Sequence, residues 1–400
     1  MGTPDKPIRI VAVDDTATWR HIVSQLVAEA DDLELVATAE DGAEGVEVVE
    51  RERPDVVTLD VEMPRMTGHE VLRALRERGL RPRVIMLSSL TDRGAKATLE
   101  ALALGAVDFV CKPSSGSAAE SRAILRQELL PKIRALAAPP RPVRWKHVDV
   151  SAAHTRFAAE MRAAELRPPA GPGAPPPATT PDPGAADARP AGAAILPRPG
   201  GGPPEAVVIG VSTGGPAALA RVIPKLPGDF PRPVLVVQHM PPKFTRTLAN
   251  DLDRRSELEV VEGEPGMDIV PGRVIIAPGG RHMTVPPAPR PARVAIDDDP
   301  PIEACRPAVE KLFASAAARW GGRTLVVMLT GMGQDGQAGC TRFHELGAPI
   351  LCQSPESCVV FGMPRLPVER GQAAAVLDLE AIAGEIVRRA GGSGVRASAA

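Results

Sequence analysis

From Pro139 to Pro204 the 400-residue chain loses its hydrophobic periodicity. Residues 167–204 are mostly Pro, Ala and Gly, including the run Pro168-Pro169-Ala170-Gly171-Pro172-Gly173-Ala174-Pro175-Pro176-Pro177. Such a segment cannot bury enough apolar surface to offset its ordering entropy. Folded structure must therefore lie on either side of it, which divides the chain into residues 1–138, a tether at 139–204 and residues 205–392. Only Phe157–Leu166 within the tether has the pattern of a transient helix. Polyproline character makes the remainder a stiffer spacer than a Gly/Ser coil, at roughly 3 Å per residue where extended.

No apolar run reaches the length of a membrane span, and Met1–Pro7 has no apolar signal core. Five cysteines form no C-x-x-C pair, and an odd number argues against a disulfide framework. These features predict a cytoplasmic protein with reduced thiols and no membrane insertion. A formal net charge of −2 gives no electrostatic footprint for nucleic acid.

The first segment alternates apolar strands with amphipathic helices. Strands are predicted at Ile8–Val13, Leu33–Ala39, Asp55–Leu59, Val84–Leu87 and Ala106–Cys111. Five βα units predict a parallel sheet covered on both faces, with ligands beyond the carboxyl ends of its strands. Polar residues fall at those ends: Asp14 and Asp15 after the first strand, Asp60 after the third, Ser88 after the fourth and Lys112 after the fifth. Three carboxylates in one place repel unless a cation joins them, and hard oxygen ligands favour Mg²⁺. The chemistry implied is a carboxylate taking up a phosphoryl group whose oxygens Mg²⁺ and Lys112 neutralise.

The third segment opens on Ala206-Val207-Val208-Ile209-Gly210-Val211-Ser212-Thr213-Gly214-Gly215-Pro216. A buried strand runs into a glycine-rich turn and a helix, so Ser212 projects beyond the sheet near backbone N–H groups that receive an oxyanion. Read alone, Ser212 suits a helix cap better than a nucleophile. Strand Val234–Val237 then leads into Gln238-His239-Met240, and Thr324–Leu329 leads into Thr330-Gly331-Met332-Gly333-Gln334-Asp335-Gly336. Three strand ends thus deliver a serine, a histidine and an aspartate: a hydroxyl, the base it needs and the acid that fixes the base's tautomer. Between them, strand-like segments at Glu259–Val261, Arg273–Ala277, His282–Val285 and Arg293–Ile296 predict an inserted antiparallel section. The G-x-S-x-G elbow of α/β-hydrolases requires the order Ser, Asp, His, whereas these candidates run Ser, His, Asp. A dinucleotide fingerprint requires glycine at Ser212 and an acid where Gln238-His239 stands.

Two resemblances cover most of the chain. With Asp14-Asp15, Asp60, Met63-Pro64-Arg65-Met66-Thr67-Gly68, Ser88 and Lys112-Pro113, the first segment resembles the flavodoxin-like (βα)5 receiver domain of response regulators. That resemblance implies Asp60 as phosphoacceptor, Asp14 and Asp15 with Asp60 around Mg²⁺, Ser88 sensing the phosphoryl group and Lys112 pairing with it. Phe109 occupies the position of the family's switch aromatic. The third segment resembles the doubly wound catalytic domain of the CheB methylesterase family through Ile209–Pro216, Gln238-His239-Met240, Ile276–Met283, Thr330–Gly336 and Gly362-Met363-Pro364. Ser212 is then the nucleophile, His239 the base and Asp335 its orienting acid, with Thr213 and Met332 at the substrate carbonyl and no cofactor in this domain. Pro367 departs from the family pattern, which continues a helix there.

The resemblance implies a phosphorylation-activated esterase that demethylates glutamate γ-methyl esters, and deamidates certain glutamines, on chemotaxis receptors. A chemotaxis histidine kinase would be the phosphodonor. A non-catalytic docking protein is the rival class, and the intact Ser212, His239 and Asp335 weigh against it. The same esterase serving a chemosensory pathway other than motility is indistinguishable from sequence.

Overall fold

A computed structural model of the chain describes residues 6–113, 117–137, 202–288 and 290–391. Most of the expected tether therefore lies outside the described residues.

The N-terminal domain runs β1 (Ile8–Val13), α1 (Ala17–Ala28), β2 (Leu33–Ala39), α2 (Gly42–Glu52), β3 (Val56–Asp60), α3 (Gly68–Glu77), β4 (Arg83–Ser89), α4 (Asp92–Ala103), β5 (Asp108–Lys112) and α5 (Ala118–Ala137). Its strands are all parallel, in the order β2-β1-β3-β4-β5. Helices cover both faces, so β3 is buried along its whole length and reads as a continuous run rather than an alternating one. Local signals fix the helix starts. The Asp41 side chain accepts from the amides of Ala43 and Glu44, and Thr67 with Glu70 closes a capping box on α3.

The C-terminal domain runs β6 (Ala206–Val211), α6 (Gly215–Val222), β7 (Val234–Gln238), α7 (Phe244–Asp253), β8 (Glu259–Glu262), β9 (Arg273–Ile276), β10 (His282–Thr284), β11 (Ala295–Asp297), α8 (Val309–Trp320), β12 (Thr324–Met328), α9 (Gln337–Glu345), β13 (Ile350–Gln353), α10 (Arg365–Glu369), β14 (Ala375–Leu377) and α11 (Leu379–Ala390). Seven strands form a parallel sheet in the order β14-β13-β12-β6-β7-β9-β8. The chain winds outward from β6 in both directions, which opens a crevice at the carboxyl ends of β12, β6 and β7. Pro367 lies in the first turn of α10, where an amide hydrogen has no intrahelical acceptor to lose.

The predicted antiparallel insertion is corrected in part. Strands β8 and β9 belong to the main sheet and run parallel to β7; only β10 and β11 form an antiparallel pair. No helix separates β8 from β9, which is why the sequence suggests a hairpin. The connection instead returns through a loop that is pinned to the segment before β11, by Gly266 N to Val294 O at 2.8 Å and Val294 N to Met267 O at 2.9 Å.

The two domains touch. Helix α4 lies against α6 and α7. The Phe109 ring of β5 stacks on Phe244 of α7, with centroids 4.6 Å apart and planes 7° from parallel. Buried apolar side chains of both sheets join one continuous cluster, and Lys243 faces Asp92 across the seam at 3.9 Å.

Gly210 tests the packing that anchors β6. A Cβ there would lie 2.6 Å from Val309 Cγ1 and 3.3 Å from Met328 Sδ. Gly210→Ala is expected to destabilise the C-terminal domain by about 1–3 kcal/mol in urea denaturation. In the Gly210→Ala/Val309→Ala pair the loss should be smaller than the sum of the single losses, because the second change vacates the contested space.

Candidate active site

The register of the sheet brings the three predicted residues to one crevice. Val211 pairs with Gln238, so Ser212 and His239 leave adjacent parallel strands side by side. Met328 pairs with Gly210 on the other flank of β6, and the loop after β12 carries Met332 and Asp335 back towards them. The turn after β6 is tight: Gly215 N donates to Ser212 O at 2.8 Å, and Gly214 takes φ +78°, where a side chain would also meet Val359. Gln238 Nε2 donates to Ser212 O at 3.0 Å, and Ser212 N donates to Thr330 O at 3.0 Å. Ser212 is thus held through its backbone while its side chain remains half-buried.

Asp335 is almost fully buried and heavily engaged. Its carboxylate accepts from Val309 N at 2.6 Å and Glu310 N at 2.8 Å, the first amides of α8, and Oδ2 lies 2.7 Å from His239 Nε2. A helix N-terminus offers unpaired N–H groups and a positive dipole end, which suit an anion. The other ring nitrogen of His239, Nδ1, lies 3.5 Å from Cys305 Sγ. Among the described residues no hydrogen bond joins Ser212 Oγ to the imidazole. Burial, the largest influence on His239, favours the neutral ring, but hydrogen bonds and charge from Asp335 and Cys305 outweigh it and lift the pKa to about 9.

Thr213 is buried, and its carbonyl accepts from Thr330 Oγ1 at 2.9 Å. Met332 follows Gly331, at which a Cβ would come within 2.8 Å of Ser212 Cβ. Thr213 follows the serine in its own turn, and the loop that carries Met332 approaches the serine at Gly331. Cys305 escaped sequence reasoning. It ends a two-residue turn closed by Ile302 N to Cys305 O at 3.1 Å and Cys305 N to Ile302 O at 2.8 Å. The turn contains Glu303 and Ala304 rather than glycine, so its sequence carries no turn signal.

In the N-terminal domain, Asp14, Asp15 and Asp60 have carboxylate oxygens within 4.8 Å of one another. Lys112 Nζ bridges Asp14 Oδ2 and Asp60 Oδ2, at 2.8 Å from each. Burial raises the Asp60 pKa to about 6; Lys112 opposes the shift and Asp14 adds to it. Burial likewise raises Asp14. Ser88 is fully buried and accepts from Thr98 Oγ1 at 2.7 Å. Phe109 is buried against Phe244 rather than turned to solvent.

The sequence profile of the CheB methylesterase family matches residues 207–386, and that of the response regulator receiver domain matches residues 10–123. A protein-glutamate methylesterase/protein-glutamine glutaminase from Symbiobacterium thermophilum is 42% identical over 386 residues, which span 96% of this chain and 98% of the relative. The catalytic domain of Thermotoga maritima CheB methylesterase is 42% identical, with a TM-score of 0.45, covering 46% of this chain and 98% of that one. The response regulator domain of Thermotoga maritima CheB is also 42% identical, with a TM-score of 0.30 over 32% of this chain and 95% of that one.

The electrostatics of His239 are open to measurement. Among the chain's seven histidines, His239 is expected to titrate near pH 9 by NMR of ring-labelled protein. Asp335→Asn removes the charge that favours the imidazolium and should move that titration to lower pH. A His239 midpoint near the ordinary 6.5 in the wild type would show that Asp335 and Cys305 do not outweigh burial.

Proposed function

The chain belongs to the CheB methylesterase family, and we propose that it is a phosphorylation-gated serine hydrolase that removes methyl groups from glutamate γ-methyl esters of chemotaxis receptors. Deamidation of receptor glutamines follows from the same acyl chemistry, with ammonia in place of methanol. The observation that carries the reading is the convergence of Ser212, His239 and Asp335 on one crevice, with Asp335 clamped on the imidazole at 2.7 Å.

In the reaction, Ser212 Oγ attacks the ester carbonyl while its proton passes to the ring nitrogen of His239 that faces away from Asp335. Asp335 keeps Nε2 protonated, so that the other nitrogen carries the lone pair. The imidazolium then protonates the departing methoxide, and methanol leaves. Water, deprotonated by His239, resolves the acyl-enzyme to free glutamate and Ser212. Thr213 and Met332 lie on the turn and the loop that meet at the serine, where the carbonyl oxygen gathers charge, and these supply the contacts that position it.

The receiver supplies the gate. Asp60 takes a phosphoryl group from a chemotaxis histidine kinase in the cytoplasm. Three hard carboxylate donors within 4.8 Å, two of them (Asp14 and Asp60) where burial disfavours the charged form, fit a Mg²⁺ ion. Asp14, Asp15 and Asp60 would hold it, and when bound it neutralises phosphoryl oxygens. Lys112 pairs with the phosphoryl group, and Ser88 turns towards it from its bond to Thr98. In the unphosphorylated form α4 covers α6 and α7, the helices that follow Ser212 and His239. Phosphorylation shifts the population away from this docked arrangement.

Two experiments test the reading. Ser212→Ala, His239→Ala and Asp335→Ala should each abolish most methanol release from methylated receptor. Double variants should be little worse, because the three act as a unit. A Ser212→Ala enzyme that kept about a tenth of wild-type turnover, a loss of only ~1.4 kcal/mol, would rule out the nucleophile.

For the gate, Asp60→Ala should lose activation by a small phosphodonor with Mg²⁺. Phe109→Ala removes an aromatic pair worth about 0.5–1.5 kcal/mol, and should raise the unphosphorylated rate about two- to tenfold. Asp92→Lys, a surface change that sets like charges across the seam, should act in the same direction. Unchanged basal rates in both variants would remove the docked receiver as the inhibitor.

A further inference from the structure

Among the described residues, Cys305 is the side-chain hydrogen-bond partner of His239 that the proposed hydrolysis does not use. Its Sγ lies 3.5 Å from Nδ1, while Asp335 holds the opposite nitrogen at 2.7 Å. Donor atoms of His239, Cys305 and Asp335 all fall within 4.8 Å of one another.

These distances match a metal site. Tetrahedral zinc binds imidazole nitrogen at about 2.0–2.1 Å and thiolate sulfur at about 2.3 Å, which sets the two ligand atoms about 3.5 Å apart. A carboxylate on the far nitrogen is the usual outer partner of a metal-bound imidazole. It fixes the tautomer, keeps Nε2 protonated and leaves the lone pair on Nδ1. Sulfur with nitrogen selects a borderline-soft cation, whereas the all-oxygen cluster of Asp14, Asp15 and Asp60 suits Mg²⁺. His239 and Cys305 are both partly exposed, so an ion reaches them from solvent, and Asp335 is buried behind.

The backbone aims the thiol. Glu303 and Ala304 adopt φ of 48° and 63°, two successive non-glycine residues in the left-handed region, enforced by the bridge between Ile302 and Cys305. That turn directs Cys305 at the imidazole rather than at solvent.

We propose that His239 and Cys305 form an exchangeable zinc site, with Asp335 as the outer partner of His239, and that zinc there switches the hydrolase off. Binding releases the Cys305 thiol proton and any proton on Nδ1 to solvent. It also takes up the lone pair with which His239 accepts the Ser212 proton; no redox change is involved. Two protein ligands leave further positions to water, so the ion is exchangeable rather than structural; it inhibits by occupying the His239 lone pair. The switching half rests on the esterase reading; the binding half does not.

Cobalt(II) is the optical probe, added to the full chain with excess Mg²⁺ to fill the receiver. Wild type should show thiolate-to-cobalt charge-transfer absorption that zinc abolishes by displacement; an all-oxygen site gives none. Cys305→Ser and His239→Ala should each lose that band, with an unchanged thermal unfolding transition excluding misfolding. Zinc should inhibit methanol release, and EDTA should restore it. Half-inhibition of Cys305→Ser, relative to its own zinc-free rate, should need at least tenfold more zinc. Cys305→His, which restores a nitrogen ligand, should regain zinc sensitivity without the band. No band in wild type, or a band that survives Cys305→Ser, overturns the site whatever the enzyme hydrolyses. Cobalt binding at Cys305 without zinc inhibition overturns the switch.

Discussion

Asp335 accepts three hydrogen bonds in a pocket nearly closed to water: two from the first amides of α8 and one from His239. The arrangement joins three parts of the domain that are far apart in sequence. The helix end stabilises the anion, the anion fixes the imidazole, and Val309, whose amide supplies one bond, also packs its side chain against Gly210 and Gly336. At Gly336 a Cβ would stand 2.6 Å from Val309 Cγ1, and its φ of +88° already favours glycine. The glycines of β6 and of the Asp335 loop are thus what allow α8 to approach closely enough to donate. A neutral, apolar replacement at Asp335 would leave two buried N–H groups and an imidazole without their acceptor, a larger loss than that of one average hydrogen bond.

Strand β5 connects the two functional halves. Lys112, at its end, bridges Asp14 and Asp60; Phe109, three residues earlier, stacks on Phe244. Lys132 holds the same strand from α5, donating to Phe109 O at 2.6 Å and pairing with Asp108 at 3.0 Å. In the proposed gate, a phosphoryl group on Asp60 would draw Lys112 from its two carboxylates and so pull on the strand that carries the interface ring. The energies are matched in scale: an aromatic pair is worth about 0.5–1.5 kcal/mol beyond its buried area, and a tenfold change in an equilibrium needs about 1.4 kcal/mol. A modest local bias is enough to move the docked population.

Much of this was legible in the chain. The five strands of the N-terminal sheet and the polar residues at their ends follow from apolar runs bounded by turn residues, and the structure brings Asp14, Asp15, Asp60 and Lys112 together. The strands before Ser212, His239 and the Asp335 loop were equally clear, because central parallel strands are continuously apolar. Strands β8 and β9 were assigned the wrong partnership, since four-residue runs carry no directional information and the pairing is set by a loop pinned to the segment before β11. Cys305 was invisible for a different reason. Its turn uses left-handed Glu303 and Ala304, which no local propensity predicts, and its contact with His239 spans 66 residues. The burial of Phe109 depends on Phe244 of the other domain, a partner that the sequence of the receiver alone does not identify.

The raised pKa of His239 looks at first like a handicap for a general base. With the pKa lifted to about 9, the protonated ring dominates at neutral pH and little free base is present. Yet in the proposed reaction the proton transferred from Ser212 creates the imidazolium, and the Asp335 contact that raises the pKa stabilises that charge as it forms. What the resting enzyme loses in available base it regains in part in the transition state. The Cys305 contact contributes differently. It sits on Nδ1, the nitrogen through which the ring must reach Ser212, and so favours the imidazolium only while the serine is disengaged. In the proposed reaction Asp335 is therefore a partner throughout, and Cys305 a partner of the idle state alone.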